Sequence, residues 1–161
     1  MFESIGESLK EKPKLYFNLG TRNSFITNQY AKVRDIKAGL TYNKQFTLAI
    51  GYSWLNSNFE TTLKDGNNAR LKMRYITPYV EYSFLEKNNI EVTIPVHLGL
   101  GVSFYQDENK NQYNKSFILT YEPAMTITYR FLKYFGVGGG IGYRLMLVGN
   151  NSINESFTSP I

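Results

Sequence analysis

The stretch Ile90-Glu-Val-Thr-Ile-Pro-Val-His-Leu-Gly-Leu-Gly-Val-Ser-Phe-Tyr105 decides how the rest of the chain is read. Its even positions, Ile90, Val92, Ile94, Val96, Leu98, Leu100, Val102 and Phe104, are apolar without exception. Its odd positions include Glu91, Thr93, His97, Gly99, Gly101 and Ser103, which are small, polar or ionisable. Successive side chains of a strand point to opposite faces, so an extended segment of this kind has one wholly apolar face and one mixed face. A helix would spread the same residues around its whole surface.

The same period of two recurs on both sides. Leu15, Phe17 and Leu19 predict a first strand, followed by a polar loop over residues 23–32. Ile36, Ala38, Leu40 and Tyr42 predict a second strand, and a short turn at residues 43–45 leads to a third with Phe46, Leu48, Ile50, Tyr52 and Trp54 on one face. A long loop over residues 57–68 precedes a fourth strand. There the phase changes, because Leu71 and Met73 are apolar at odd positions but Ile76, Val80, Tyr82 and Phe84 at even ones. This predicts either a bulge near residues 75–78 or an upper part outside the environment of the rest. The strand of residues 90–105 is the fifth, and a polar loop spans residues 106–112. A sixth strand carries Phe117, Leu119, Tyr121, Met125, Ile127 and Tyr129, and a seventh carries Phe135, Val137, Ile141, Tyr143, Leu145 and Leu147. An eighth is missing from the pattern or begins near Ser156. Residues 1–14 read as an amphipathic lead-in, residues 15–161 as one β-barrel domain.

Composition narrows the class. A hydrophobic fraction of 42% with mean hydropathy −0.33 is ordinary for a soluble protein, but alternating strands of a membrane barrel average to the same values. Thirteen Tyr, eleven Phe and one Trp make the chain rich in residues that favour strands and water–apolar boundaries. No run reaches the ~18 apolar residues of a spanning helix, so a membrane could be crossed only by strands. Without cysteine there is no disulfide, thiol nucleophile or zinc–thiolate site. The net charge of +5 is dispersed, which argues against nucleic acid as a partner. The amino terminus lacks the basic start and apolar run of an export signal, so export implies a signal lost from this sequence.

Which face is inside decides between two kinds of barrel. The mixed face is crowded with Ala49, Gly51, Gly99, Gly101, Gly136, Gly138, Gly140 and Gly142, small residues that suit a narrow interior. The opposite face carries large residues such as Leu98, Leu100, Ile141 and Tyr143, as lipid contact favours. Short turns also alternate with longer polar connections, as in up-and-down outer-membrane barrels. In that threading Tyr42, Phe46, Tyr82, Phe84, Tyr129, Phe131, Tyr134 and Phe135 gather at one boundary. Trp54, Phe59, Phe104, Tyr105, Tyr113 and Phe117 gather at the other. The expectation is an all-β, antiparallel, up-and-down transmembrane β-barrel. Its rival is a soluble lipocalin-like barrel holding an apolar ligand.

The interior face then collects Asp35, Lys37, Glu81, Glu91, His97, Glu122 and Arg144. Charges there must be paired, so a salt-bridge network replacing a hydrophobic core is the plain expectation. A sharper one is a small-ligand or ion site centred on Glu81, Glu122 and Arg144. His97 is the only histidine, weak as a metal ligand and unsupported as part of a triad, since no Gly-x-Ser-x-Gly is present. The run from Gly136 to Gly142 lacks the Lys-Ser or Lys-Thr of a phosphate loop and reads as wall. Pro78, Pro95 and Pro123 fall inside expected strands and count against the model.

Thr77-Pro-Tyr-Val-Glu-Tyr-Ser-Phe84, Pro95-Val-His-Leu-Gly-Leu-Gly101 and Phe135-Gly-Val-Gly-Gly-Gly-Ile-Gly-Tyr143 resemble the small outer-membrane β-barrel domain proteins of Bacteroidetes-type bacteria. More loosely they resemble OmpA/OmpX-like eight-stranded barrels. The resemblance implies a monomeric integral protein of the bacterial outer membrane, with membrane lipid as partner. It implies no cofactor, metal or enzymology, with a lipid-modifying enzyme as a distant third class. Function would lie in the loops at residues 23–32, 57–68 and 106–112, where an external ligand or protein could bind. An open pore is not expected, because side chains fill an eight-stranded barrel.

Overall fold

The computed structural model describes residues 12–26, 29–56, 60–62, 68–132, 135–148 and 158–161, and every element in them is a strand. Seven are long: β1 (Lys14–Ile26), β2 (Gln29–Tyr42), β3 (Phe46–Leu55), β5 (Asn68–Lys87), β6 (Ile90–Asp107), β7 (Gln112–Arg130) and β8 (Gly136–Val148). Two are short, β4 (Glu60–Thr62) and β9 (Ser159–Pro160). Each long strand pairs antiparallel with the next, β4 pairs with β5, and the single sheet curls into a half-barrel. Residues 1–11, which include most of the expected lead-in, lie outside the described residues, as do Phe59 and Tyr134.

Tight turns fix the register. Asn43 and Lys44 both have positive φ, 46° and 54°, and the Gln45 amide donates to the Tyr42 carbonyl at 3.0 Å. Asn88 and Asn89 repeat the arrangement with φ of 51° and 66°. Two successive left-handed residues match the right-handed twist of the flanking strands, which is why such turns close hairpins. Asparagine tolerates that conformation better than most residues.

The resulting register lines the outward residues up in rows. Leu19, Ile36, Tyr52, Ile76, Leu100, Leu119 and Leu147 are successive partners across all seven long strands. Every one is a large apolar residue left 37–69% exposed. Phe17, Ala38, Ile50 and Pro78 form the row below, and Tyr42, Phe46 and Tyr82 a third, so that part of the expected lower aromatic girdle lies side by side.

Above the Leu19 row the faces change character, most cleanly on β5, while Asp35 and Arg22 still face inward and Phe25 and Tyr30 outward. Outward positions become Arg34 and Lys32 on β2, and Arg74 and Lys72 on β5. Inward positions become a buried apolar cluster of Ala31, Val33, Leu55, Ala69, Leu71, Met73, Tyr75, Tyr105 and Ile118. This explains the change of phase in β5. The bulge expected near residues 75–78 does not exist: Tyr75 and Ile76, then Tyr79 and Val80, keep one register with β6, and the irregularity lies between Ser83 and Leu85. Tyr105, expected in the upper girdle, belongs to the interior cluster, and Phe104 is also buried.

Strands reach into two of the polar segments expected to be loops, while most of the third, residues 57–68, lies outside the described residues. Ser24, Phe25 and Ile26 pair with Ala31, Tyr30 and Gln29, and β6 and β7 continue to Asp107 and from Gln112. The β1–β2 and β6–β7 connections are therefore shorter than expected, with two residues between Ile26 and Gln29 and four between Asp107 and Gln112. The prolines interrupt the ladder without shifting it. Thr93 pairs with Thr126 and Val96 with Pro123, so the register resumes unchanged after Pro95. β9 takes the eighth position, pairing antiparallel with β8 through Tyr143 and Arg144, while the Ser159 hydroxyl lies 2.6 Å from that of Ser24 in β1.

Candidate functional site

Side chains on the inward face pack closely over their neighbouring strands, and glycines on β6 make room for them. A Cβ on Gly99 would strike the Thr120 hydroxyl and the Tyr75 ring, and one on Gly101 would strike the Arg74 carbonyl and Tyr75. With both positions bare, Tyr75 lies across the lumen, fully buried, and its hydroxyl donates to Glu122 Oε1 at 3.1 Å.

Glu122 is the hub. It is 0% exposed, accepts from Arg144 Nε at 2.6 Å, and pairs through its second oxygen with Arg22 Nη1. Arg22 continues to Asp35 at 3.3 Å, and Asp35 to Lys37 at 2.6 Å. Arg22 Nη2 also donates to Ser53 at 3.1 Å, and Arg144 Nη1 to Ser24 at 3.0 Å. Three cations and two carboxylates from β1, β2, β7 and β8 thus form one chain of ion pairs. The cost of burying each charge, several kcal/mol if isolated, is offset by its neighbours.

A second cluster adjoins the first. Tyr79 donates to Glu81 Oε2 at 2.6 Å, Thr93 donates to the same oxygen at 2.9 Å, and Tyr16 stacks on Tyr79 with ring centres 6.0 Å apart. Lys37 Nζ lies 5.0 Å from the centre of the Tyr79 ring, which links the clusters. His97 packs at 4.8 Å on the other side of Tyr79, with Nδ1 3.3 Å from the Glu122 carbonyl oxygen. Glu91 stands apart at the lower mouth, held by Arg130 Nε at 2.9 Å.

Of the seven residues expected inside, Asp35, Lys37, Glu122 and Arg144 meet in one network, with His97 touching it through the β7 backbone. The grouping of Glu81 with Glu122 and Arg144 does not form, because Glu81 faces Pro95 one inward position below the row of Tyr79, His97 and Glu122. Arg22 was missed altogether. It continues the even, inward positions of Tyr16, Asn18 and Gly20, and was lost only by ending the first strand too early. No group of three or more His, Cys, Asp or Glu residues suited to a metal occurs among the described residues. His97 Nε2, Thr120 Oγ1 and Arg144 Nη2 are buried without a hydrogen-bond partner among them. The arrangement can hold two walls together electrostatically, and nothing in it forms a nucleophile–base pair.

Searches against family models, curated proteins and solved structures returned no match for this chain.

Proposed function

We propose that the chain is an integral β-barrel of the bacterial outer-membrane type. Its role is structural, anchoring or surface interaction through the strand ends above the apolar belt, without an open pore. The observation that carries this reading is the exchange of character between the two faces at one level. On β5 and the strands beside it, the outward face is apolar and the inward face charged or polar below the row of Arg34, Trp54 and Arg74. Above it Lys32 and Lys72 stand outward while Val33, Leu55, Leu71 and Met73 turn inward; β1 and the end of β2, with Arg22 inward and Phe25 and Tyr30 outward, depart from this. A sheet surrounded by water has no reason to invert, whereas one passing from hydrocarbon into water must.

The dimensions agree. From Ile90 to Val102 the outward face of β6 is continuously apolar, about 40 Å along the strand and about 30 Å at a ~40° tilt. A lipocalin-like carrier would need an apolar cavity inside. At that level the inward face instead carries Asp35, Lys37, Glu122 and Arg144, and Arg22 ties the two pairs together from β1 to β7, which argues against a pore as well.

The experiment is refolding of the chain with and without detergent micelles or lipid vesicles. Strand signal, resistance to protease and faster migration of the unboiled protein on gels should appear together only with amphiphile. A monodisperse, folded monomer in plain buffer would exclude a membrane role.

A further inference from the structure

We propose that Lys32, Arg34, Lys72 and Arg74 form a binding site for the phosphate of an anionic lipid headgroup, where the outward face leaves its apolar belt. The site rests on the membrane reading given above. Arg34 pairs in register with Trp54, and Trp54 with Arg74, so the two arginines flank the tryptophan on adjacent strands. Two strand spacings separate their backbones, about 10 Å, and Lys32 and Lys72 stand one outward position higher, about 7 Å further along. Between the lysines lies Asn56, whose amide donates to the Lys32 carbonyl at 2.7 Å.

Two features distinguish this patch from a solvated rim. First, none of the four cations has an ion-pair partner among the described residues. At the opposite end of the sheet Lys44 pairs with Glu86 at 3.2 Å and Arg130 with Glu91, and strand cations left without an ion pair there among the described residues, Lys14 on β1 and Lys87 on β5, are not grouped on adjacent strands. Like charges this close repel, and an external anion relieves the repulsion. Second, Arg74 and Trp54 are held in place. The Arg74 guanidinium lies 5.3 Å from the centre of the buried Phe104 ring, and Trp54 stacks on Tyr52 with ring centres 6.0 Å apart. Guanidinium forks match phosphate oxygens, and an indole between them sits naturally at headgroup depth. The apolar row of Ile36, Tyr52 and Ile76 directly below would lie along the acyl chains of the same lipid.

Trp54 is the only tryptophan, so its fluorescence reports the site directly. The full chain is refolded into phosphatidylcholine vesicles containing either brominated phosphatidylglycerol or brominated phosphatidylcholine as a minor component. The bromine-bearing anionic lipid should quench Trp54 far more strongly at equal mole fraction. Arg34→Gln with Arg74→Gln should reduce that preference about thirtyfold, since each cation near an anionic surface is worth about fivefold. Arg34→Lys with Arg74→Lys should keep most of it, and inorganic phosphate in the buffer should leave it unchanged. Equal preference in the wild type and the glutamine variant would overturn the site. Displacement by inorganic phosphate would overturn its assignment to lipid. If brominated phosphatidylcholine quenches but the anionic lipid does no better, the site alone fails. Absence of quenching by either lipid would mean that the membrane reading fails and takes the site with it.

Discussion

Glu122 and Gly101 carry most at the scale of single residues. Glu122 neutralises Arg22 and Arg144 from opposite sides, so Glu122→Gln leaves two buried guanidinium groups facing each other. Breaking a buried pair from one side costs about 3–5 kcal/mol, and urea unfolding in micelles should show a loss of that order. A loss under about 1 kcal/mol would mean that the network is not a structural core. Gly101 tests how closely Tyr75 packs on its register partner. Gly101→Val should destabilise by about 1–3 kcal/mol through overpacking against Tyr75, while Gly139→Ala, with nothing within 4 Å of the new Cβ, should be silent in the same assay. Most of the network was legible in the sequence, because parity alone put Asp35, Lys37, Glu122 and Arg144 on the inward face. Which of them meet was not legible. That depends on how far strand tilt carries Arg22 across the lumen, which no local pattern encodes.

Among the elements, the hairpins are where local sequence and register meet. Lys44 holds φ of 54° at a position that glycine occupies without strain, so Lys44→Gly should raise stability by about 0.5–1 kcal/mol. The exposed Lys44–Glu86 pair lost with it is worth less than that. A fall in the unfolding midpoint would show that the turn does not set the β2–β3 register. Strand identity and order were legible because period two survives wherever one face is apolar. Strand ends were not, since above the belt the two faces no longer differ consistently: Ser24 and Ala31 share the inward face, and Phe25 and Tyr30 stand outward beyond Asn23 and Lys32. Ser24 to Ile26 and Gln29 to Ala31 therefore resembled loop while forming a ladder. The change of phase at Leu71 and Met73 was visible as a signal, but a bulge and a change of surroundings predict the same string of letters, and only the unbroken β5–β6 register separates them.

For the whole molecule, a boundary between apolar and basic outward residues crosses β2, β3 and β5 at one height. The antiparallel meander and its curl follow from the pairing, and β9 at the eighth position shows which way the circuit runs. That the apolar rows face lipid is the central claim, and β5 crosses the boundary within one unbroken strand. Because the chain has no cysteine, single spin labels can be placed without removing any native residue of that type. Labels at Ile76→Cys, Val80→Cys and Tyr82→Cys should, in vesicles, relax with oxygen and be shielded from a water-soluble nickel reagent. A label at Lys72→Cys, two outward positions above Ile76, should show the reverse. If the labels at positions 76 and 80 were as open to nickel as the one at position 72, the outward face would be in water along its whole length and the account would be wrong.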